Sequence, residues 1–322
     1  MAAAFAMGTP VSRGKNVSRM KLLTLVSSAS AMLLAVGCAS ATTYSLIVSG
    51  LGGEAGYEQR FREQAQQLRT SAHRMNGDES TCVVLSGTEA TKDALRRELR
   101  ALTKKATGED QLILTLIGHG SFDGTQYRFN LPGPDLTDTD LAQWLEPVKG
   151  QVLIVNATSA SGAALERWKK SDRIVISATK SGGERTATRF GQFWAEALSE
   201  AAADTNKDDV ITVAEAFDYS SRKVADSFKS DALLATEHAR LEGAGAQRFQ
   251  VARLGAAARV STDPQLNDLY AQRVRIEREL DAVKQRKASL AVDAYYDELE
   301  GVLIRLATLQ RDIDTHQAVQ SP

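Results

Sequence analysis

Fully apolar runs alternate with amphipathic stretches along most of this chain, and this alternation constrains the fold more than any other feature. The apolar runs predict strands at residues 44–49, 81–85, 111–117, 152–155 and 173–178. The stretches between them predict helices at residues 57–75, 90–105 and 136–145. A strand that is apolar along its whole length must be buried on both faces, which is typical of a parallel sheet covered by helices. The sequence therefore predicts a three-layer α/β domain with a mostly parallel central sheet, over residues 43–242.

The C-terminal part follows a different pattern. Residues 243–263 are rich in Ala and Gly, and we expect a linker there. Between residues 264 and 318, apolar side chains recur at alternating three- and four-residue steps, the heptad spacing with which helices pack along a seam. We predict an α-helical hairpin or coiled coil, with one long dimerising helix as the alternative. A homo-oligomer formed through these helices is the corresponding partner prediction.

Residues 1–41 have the composition of an export signal. Arg13, Lys15, Arg19 and Lys21 precede an apolar run at 22–36, which is followed by small residues. The run is shorter than the roughly 20 residues that span a membrane. Residues 35–38 resemble a lipobox, so one outcome is lipidation of Cys38, and the other is simple cleavage after residues 39–41. We therefore expect an exported protein of the periplasm or cell envelope, attached to a membrane only if Cys38 is lipidated.

The composition excludes several classes of function. With 39 Lys and Arg against 40 Asp and Glu, the net charge of −1 lacks the basic excess typical of nucleic-acid binding. Two cysteines are too few for a disulfide framework or a thiolate zinc site. One is Cys38, and the other, Cys82, lies in a predicted strand, where a free cysteine is usually a small buried hydrophobe. No Gly-rich phosphate loop follows the first strand, so we expect no nucleotide cofactor.

Three residues with reactive side chains follow two of the predicted strands. His119, between two glycines, comes directly after the third strand, and Thr158 and Ser159 follow the fourth. Because ligand sites in parallel sheets form at the carboxyl ends of the strands, these residues mark the candidate site. His238, by contrast, is predicted to lie on a helix and to serve packing.

The segments around His119 and Ser159 resemble the caspase and legumain clan of cysteine peptidases, including bacterial exported caspase-like proteins. The resemblance extends over residues 43–241 and implies a caspase-like three-layer domain. It also implies that His119 corresponds to the catalytic histidine, which acts as general base or acid. The clan's nucleophilic cysteine corresponds to Ser159 when the segments are aligned on Ser161 and Gly162. It corresponds to Thr158 when they are aligned along the preceding strand.

The absence of cysteine at this position has a chemical consequence. A thiol with a pKa of about 8.5 is partly ionised at neutral pH, whereas a hydroxyl is not. We therefore predict a degenerate peptidase that binds peptides or partner proteins. The alternative is an active endopeptidase that uses His119 with Ser159 or Thr158, with Asp123 and Glu184 as the carboxylates available to orient the histidine.

Residues 204–215 resemble a calcium-binding loop. Asp204, Asn206, Asp208 and Glu215 stand at the ligand positions 1, 3, 5 and 12 of an EF-hand-type loop, and Val210 would offer its carbonyl. Helices are expected on both sides, at 190–202 and 213–228. Asp209 replaces the glycine that the motif prefers. We predict a structural Ca²⁺ ion here, and an acidic helix-capping loop is the alternative.

Overall fold

The computed structural model describes residues 42–76, 78–254 and 264–320. The predicted export signal and Cys38 lie outside the described residues. Among the helices of the described part, none is both long enough and apolar enough to cross a membrane.

A six-stranded sheet forms the centre of the α/β body. Its strands are β1 (Thr43–Ser49), β2 (Cys82–Leu85), β3 (Gln111–Gly118), β7 (Gln151–Thr158), β8 (Arg173–Ser177) and β10 (Arg240–Glu242). The strand order is β10-β8-β7-β3-β1-β2. All neighbouring strands pair in parallel except β10, which is antiparallel to β8. The structure thus confirms the mostly parallel sheet.

Two small antiparallel sheets flank the central one. The first contains β4 (Gly120–Phe122), β5 (Tyr127–Phe129) and β6 (Leu136–Thr137). The second pairs β9 (Val210–Thr212) with β11 (Gln250–Arg253). The first sheet begins directly after His119, so it borders the candidate site.

Helices cover both faces of the central sheet. Those of the body are α1 (Ala55–Asn76), α2 (Lys92–Lys105), α3 (Asp138–Leu145), α4 (Leu165–Trp168), α5 (Phe190–Ala197) and α6 (Val213–Ser230). One apolar cluster joins α1, α5 and α6 to one face, and a second joins α2, α3 and α4 to the other. The three-layer α/β architecture is therefore confirmed.

Local sequence accounts for where α3 begins. The Thr137 hydroxyl accepts a hydrogen bond from the Asp140 N–H, and the Asp140 carboxylate accepts one from the Thr137 N–H. This reciprocal capping box satisfies two N–H groups that have no partner within the helix.

The structure differs from the sequence prediction in the segment predicted as a linker, 243–263. Its described part includes β11, and Phe249 and Val251 are buried against the α5 and α6 side of the sheet. The removal of these large apolar side chains from water favours an ordered strand over a linker, despite the neighbouring Ala and Gly residues. The α/β body therefore continues to at least Leu254.

The C-terminal residues form an antiparallel pair of helices, α7 (Pro264–Gln285) and α8 (Val292–Gln320). Tyr270, near the start of α7, packs in one cluster with Ile313, near the end of α8. Val283, near the end of α7, packs with Tyr295, near the start of α8. The hairpin prediction is confirmed, because a single continuous helix could not make these contacts.

Candidate functional site

His119 and Ser159 are neighbours at the carboxyl edge of the sheet. In the parallel pairing of β3 with β7, Gly118 lies opposite Thr158, so His119 and Ser159 are the first residues after two neighbouring strands. A Cβ atom at Gly120 would lie 2.5 Å from the Ser159 carbonyl oxygen. The two segments can approach this closely because residue 120 has no side chain.

The His119 ring is held by the loop after β1 and by α1. Its Nε2 atom lies 3.2 Å from the carbonyl oxygen of Gly52, and the rings of Tyr57 and Phe61 pack edge-on at 4.7 and 5.3 Å between centroids. A carbonyl oxygen can only accept a hydrogen bond, so Nε2 must carry the proton. In the neutral ring, the basic lone pair is therefore on Nδ1.

The loop that holds His119 is itself fixed by Glu58, a residue that the sequence reasoning missed. The Gly52 N–H donates to the Glu58 carboxylate at 2.7 Å. A Cβ atom at Gly52 would lie 2.5 Å from the Glu58 main-chain nitrogen. Two glycines shortly after the first predicted strand were the only signal of this close approach in the sequence.

Thr158 belongs to a buried hydrogen-bond network on the α2–α4 side of the sheet. Its Oγ1 lies 2.5 Å from the Tyr127 hydroxyl and 2.8 Å from Asn156 Oδ1, and all three residues are fully buried. Tyr127 also packs edge-on against Trp168, and burial raises the pKa of its phenol. The Thr158 hydroxyl therefore links β7 to the β4–β6 sheet through its hydrogen bond with Tyr127 of β5.

Ser159 has a different environment. The residue is 2% exposed, and its hydroxyl makes no hydrogen bond with any described residue. Ser159 lies just past the end of β7, in the turn that follows the strand. The chain then turns through Ala160 in a left-handed conformation (φ +54°), and the Ala160 N–H donates to the Glu184 carbonyl oxygen.

No hydrogen bond joins His119 to either hydroxyl in the described part of the chain. The structure thus brings His119, Ser159 and Thr158 to one edge without coupling them as a base and a nucleophile.

Neither of the carboxylates expected to orient His119 contacts it. Asp123 accepts hydrogen bonds from the Gln126 N–H, Arg128 and the Thr125 N–H in the β4–β5 turn, and these hold its pKa well below the usual range.

Glu184 binds His238 instead, with 2.6 Å between its carboxylate and Nδ1. Burial alone would raise the pKa of Glu184, but hydrogen bonds from His238 and the Lys180 N–H hold it below its ordinary value. The Gly52 carbonyl takes the place of an orienting carboxylate.

The sequence also gave no indication that the segment 233–239, before β10, belongs to the site. The sequence predicts a helix at His238, but the residue lies in a segment without helix or strand structure. The neighbouring Glu237 carboxylate is buried and accepts hydrogen bonds from the N–H groups of Arg189 and Phe190, at the start of α5. Burial raises the pKa of Glu237 to about 7.

The residues just before Glu237 are exposed at the same edge. Because β10 runs antiparallel to β8, with Arg240 opposite Ser177, this segment lies beside the carboxyl ends of the parallel strands. The main-chain groups of residues 234–236 make no hydrogen bond with any described residue. Leu233 and Leu234 are 56% and 90% exposed.

Cys82 lies at the other end of the sheet. It pairs with Ser45, near the start of β1, and burial raises the pKa of its thiol to about 11. A thiol that stays protonated at neutral pH and lies away from His119 cannot replace the missing nucleophile.

Hydrogen bonds within the loop 204–215 hold its conformation. The Asp204 carboxylate accepts from the N–H groups of Lys207, Asp208 and Asp209, and Glu215 forms the capping box of α6 with Thr212. In the described residues, no group of three or more acidic, His or Cys side chains is arranged to hold a metal ion.

The helix before this loop is shorter than expected. The prediction placed it at 190–202, whereas α5 ends at Ala197. Val210, expected as a carbonyl ligand, lies in β9 and pairs with Arg253 of β11.

Comparison with known proteins gives structural likenesses only. No protein-family model matches the sequence, and no curated protein matches it. The fold is similar to protein GSU0716 from Geobacter sulfurreducens, with 13% identity, a TM-score of 0.46, and coverage of 66% of this chain and 100% of that one.

Two caspases are similar to a comparable degree. The Drosophila initiator caspase Dronc has 10% identity and a TM-score of 0.44, and the match covers 66% of this chain and 82% of Dronc. Caspase-1 from Spodoptera frugiperda has 10% identity and a TM-score of 0.43, with coverage of 67% and 92%. Each of these three TM-scores is below 0.5.

Proposed function

We propose that this protein is a non-catalytic, peptidase-like domain that binds an extended peptide or a segment of a partner protein at the carboxyl edge of its sheet. The observation that carries this proposal is the exposed segment 234–236, whose main-chain groups have no hydrogen-bond partner in the described structure. An extended peptide can pair with such a segment as an added strand. The exposed Leu233 and Leu234 side chains would add apolar contacts.

The environment of the two hydroxyls supports the absence of catalysis. Thr158 and Ser159 are 0% and 2% exposed, and neither is hydrogen-bonded to His119. A hydroxyl becomes a nucleophile only when a base within hydrogen-bond reach removes its proton. Without that base, this arrangement activates neither hydroxyl as a nucleophile.

The test is peptide selection followed by proline substitution. A random peptide library is selected on the wild-type protein, and the affinity of a selected peptide is measured for Ala235→Pro and Thr236→Pro. Successive N–H groups of an extended segment point in opposite directions, so at least one of these variants should bind at least tenfold more weakly.

Ala235→Gly, which keeps its N–H, is the matched control and should bind like the wild type. Failure to select any peptide, or unchanged affinity in both proline variants, contradicts the proposal.

A second candidate function is an endopeptidase that uses His119 and a hydroxyl nucleophile. It is favoured by the hydrogen bond from Nε2 to Gly52, which leaves Nδ1 as the basic atom of a fixed ring. Ser159 is the stronger nucleophile candidate, because the Thr158 hydroxyl is already bound to Tyr127 and Asn156. This function requires cleavage that both His119→Ala and Ser159→Ala abolish.

We also propose that the loop 204–215 binds Ca²⁺ in a structural role. The oxygen ligands Asp204, Asn206, Asp208 and Glu215 suit a hard cation. Asp209 has a φ of +62°, so it adopts the left-handed conformation for which the motif prefers glycine. The side chains that now bind loop N–H groups would have to turn toward the ion. Calorimetric titration with Ca²⁺ should release heat that Asp208→Ala removes, and no heat at millimolar Ca²⁺ contradicts the proposal.

For the N-terminal segment we propose export, with Cys38 as the lipidation site. The basic residues, apolar run and small residues in 1–41 support this proposal. Metabolic labelling with a palmitate analogue should mark the wild type and not Cys38→Ser. Labelling that persists in Cys38→Ser contradicts lipidation at this residue.

A further inference from the structure

Helix α8 presents an apolar surface that the described chain leaves uncovered. Val292, Tyr296, Leu303 and Ile304 are 70%, 55%, 45% and 57% exposed. With Leu299 and Ala307, the last three line a shallow, almost entirely apolar depression on the helix. We call the stripe formed by Val292, Tyr296, Leu303 and Ile304 the α8 outer face. Apolar patches of this kind on an otherwise polar helix mark contact surfaces.

The outer face continues the packing pattern of the hairpin. Tyr295, Leu299 and Val302 form the seam that packs against α7. Val292, Tyr296, Leu299 and Leu303 form a second stripe with the same four- and three-residue steps, and Leu299 belongs to both. A helix with two adjacent apolar stripes is typical of a bundle in which each helix has two neighbours. The hairpin supplies only α7.

The charges along α8 indicate what the second neighbour is and how it runs. From Val292 to Ile304 the helix carries four acidic residues, Asp293, Asp297, Glu298 and Glu300, and no Lys or Arg. The C-terminal half contains Arg305 and Arg311 together with Asp312 and Asp314, so these charges cancel. A parallel copy of α8 would set acidic half against acidic half. An antiparallel copy sets each acidic half against a half whose charges balance and that contains arginine, which avoids this repulsion.

Two of these charges define the register. Asp293 and Arg311 lie at equal distances in sequence on either side of Val302 and on the same side of the helix as the outer face. Arg311 is 74% exposed, and its ion pair is with the adjacent Asp312. Asp293 has no ion pair in the described residues. Two antiparallel copies that cross near Val302 would therefore bring Asp293 of each chain to Arg311 of the other.

We propose that the outer face of α8 binds α8 of a second copy of this chain, antiparallel and with the two-fold axis near Val302. The two hairpins then form a four-helix bundle. The interface is isologous, so each chain contributes the same surface. This dimer is independent of peptide binding at the carboxyl edge of the sheet.

The first test is the mass of the purified full chain in solution, measured by light scattering during size-exclusion chromatography. The wild type should have twice the mass of the Leu303→Glu/Ile304→Glu variant. Both substituted side chains are exposed, so the variant should keep the helical content of the wild type by circular dichroism. Ala294→Glu, at an exposed position on the opposite side of α8, is the matched control and should remain a dimer.

The second test is the direction of the two helices. In a background of Cys38→Ser and Cys82→Ala, chains with Asp293→Cys are mixed with chains with Arg311→Cys and oxidised. The antiparallel dimer should give disulfide-linked pairs of one chain of each kind, because a disulfide forms only between Cα atoms within about 7 Å.

Three results overturn the proposal. A wild-type monomer shows that the outer face does not bind a second copy. A dimer that survives Leu303→Glu/Ile304→Glu uses another surface. Efficient linkage of Asp293→Cys chains to one another shows that the helices run parallel.

Discussion

The end of β7 and the turn that follows it hold neighbouring hydroxyl groups in different ways. On the α2–α4 side of the sheet, Thr158 shares hydrogen bonds with Tyr127 and Asn156 in a fully buried network. In the turn after β7, Ser159 has no side-chain partner in the described structure, although His119 directly follows the neighbouring strand β3. One step along the chain thus separates a structural hydroxyl from an unused one.

The comparison shows that a shift of one residue decides the role of each hydroxyl. Thr158 and Ser159 have similar chemistry, but Thr158 lies in β7 and contacts Tyr127, whereas Ser159 lies beyond the strand. Each side of the sheet also holds a buried carboxylate. Asp138 of α3 is paired with Arg167, whereas Glu237, at the start of α5, accepts hydrogen bonds from main-chain N–H groups.

Removal of Tyr127 should have the largest effect on stability. Tyr127→Ala leaves a cavity beside Trp168 and removes a partner of Thr158, so the free energy of unfolding should fall by about 3–5 kcal/mol. Denaturant unfolding measures this change. Tyr57→Ala, which removes the half-buried ring next to His119 on the other side, is the control and should cost about 1–2 kcal/mol. An equal loss of unfolding free energy in the two variants would contradict the special role of the Tyr127 network.

Glu237 should make the α5 side the source of pH-dependent stability near neutrality. Its pKa is raised from 4.5 to about 7, so the folded state keeps the proton over a range in which the unfolded state has lost it. The contribution of this group is fully present below pH 4.5 and is lost as the pH rises to about 7. The total loss is on the order of 3 kcal/mol.

Glu237→Gln removes this titration. The difference in unfolding free energy between wild type and variant should therefore change by about 3 kcal/mol between pH 4.5 and pH 8, in the direction that favours the variant at high pH. Urea unfolding across this range measures the difference. A difference that does not vary with pH would show that Glu237 ionises normally in the fold.

Substitution of the two hydroxyl residues should have the smallest effects, and unequal ones. Thr158→Val leaves buried groups of Tyr127 and Asn156 with fewer partners and should cost about 1–3 kcal/mol. Ser159→Ala removes a hydroxyl that has no partner and should change the unfolding free energy by less than about 0.5 kcal/mol. A larger cost for Ser159→Ala than for Thr158→Val would reverse the assignment of the two hydroxyls.

Much of the fold could be predicted because it depends on local pattern. The apolar runs identified all five parallel strands, and strand order along the chain put His119, Thr158 and Ser159 at one edge. β11 was missed because the Ala- and Gly-rich composition around it outweighed Phe249 and Val251, whose burial depends on α5 and α6.

The details of the site could not be predicted because they depend on distant contacts. The choice between Thr158 and Ser159 depends on the partners of each hydroxyl, such as Tyr127 for Thr158, and both alignments were compatible with the sequence. The bond from His119 to Gly52 joins residues 67 positions apart, and the bond from Glu237 to the Phe190 N–H joins residues 47 apart. No sequence spacing signals such pairs.

The central claim is that the edge with His119 and Ser159 binds peptides without cleaving them. Incubation of the wild-type protein with a proteome-derived peptide library, followed by mass spectrometry of newly formed termini, measures this directly. We expect the same intact peptides from the wild type, His119→Ala and Ser159→Ala. New termini that form with the wild type and disappear in both variants would contradict the claim and establish an active peptidase.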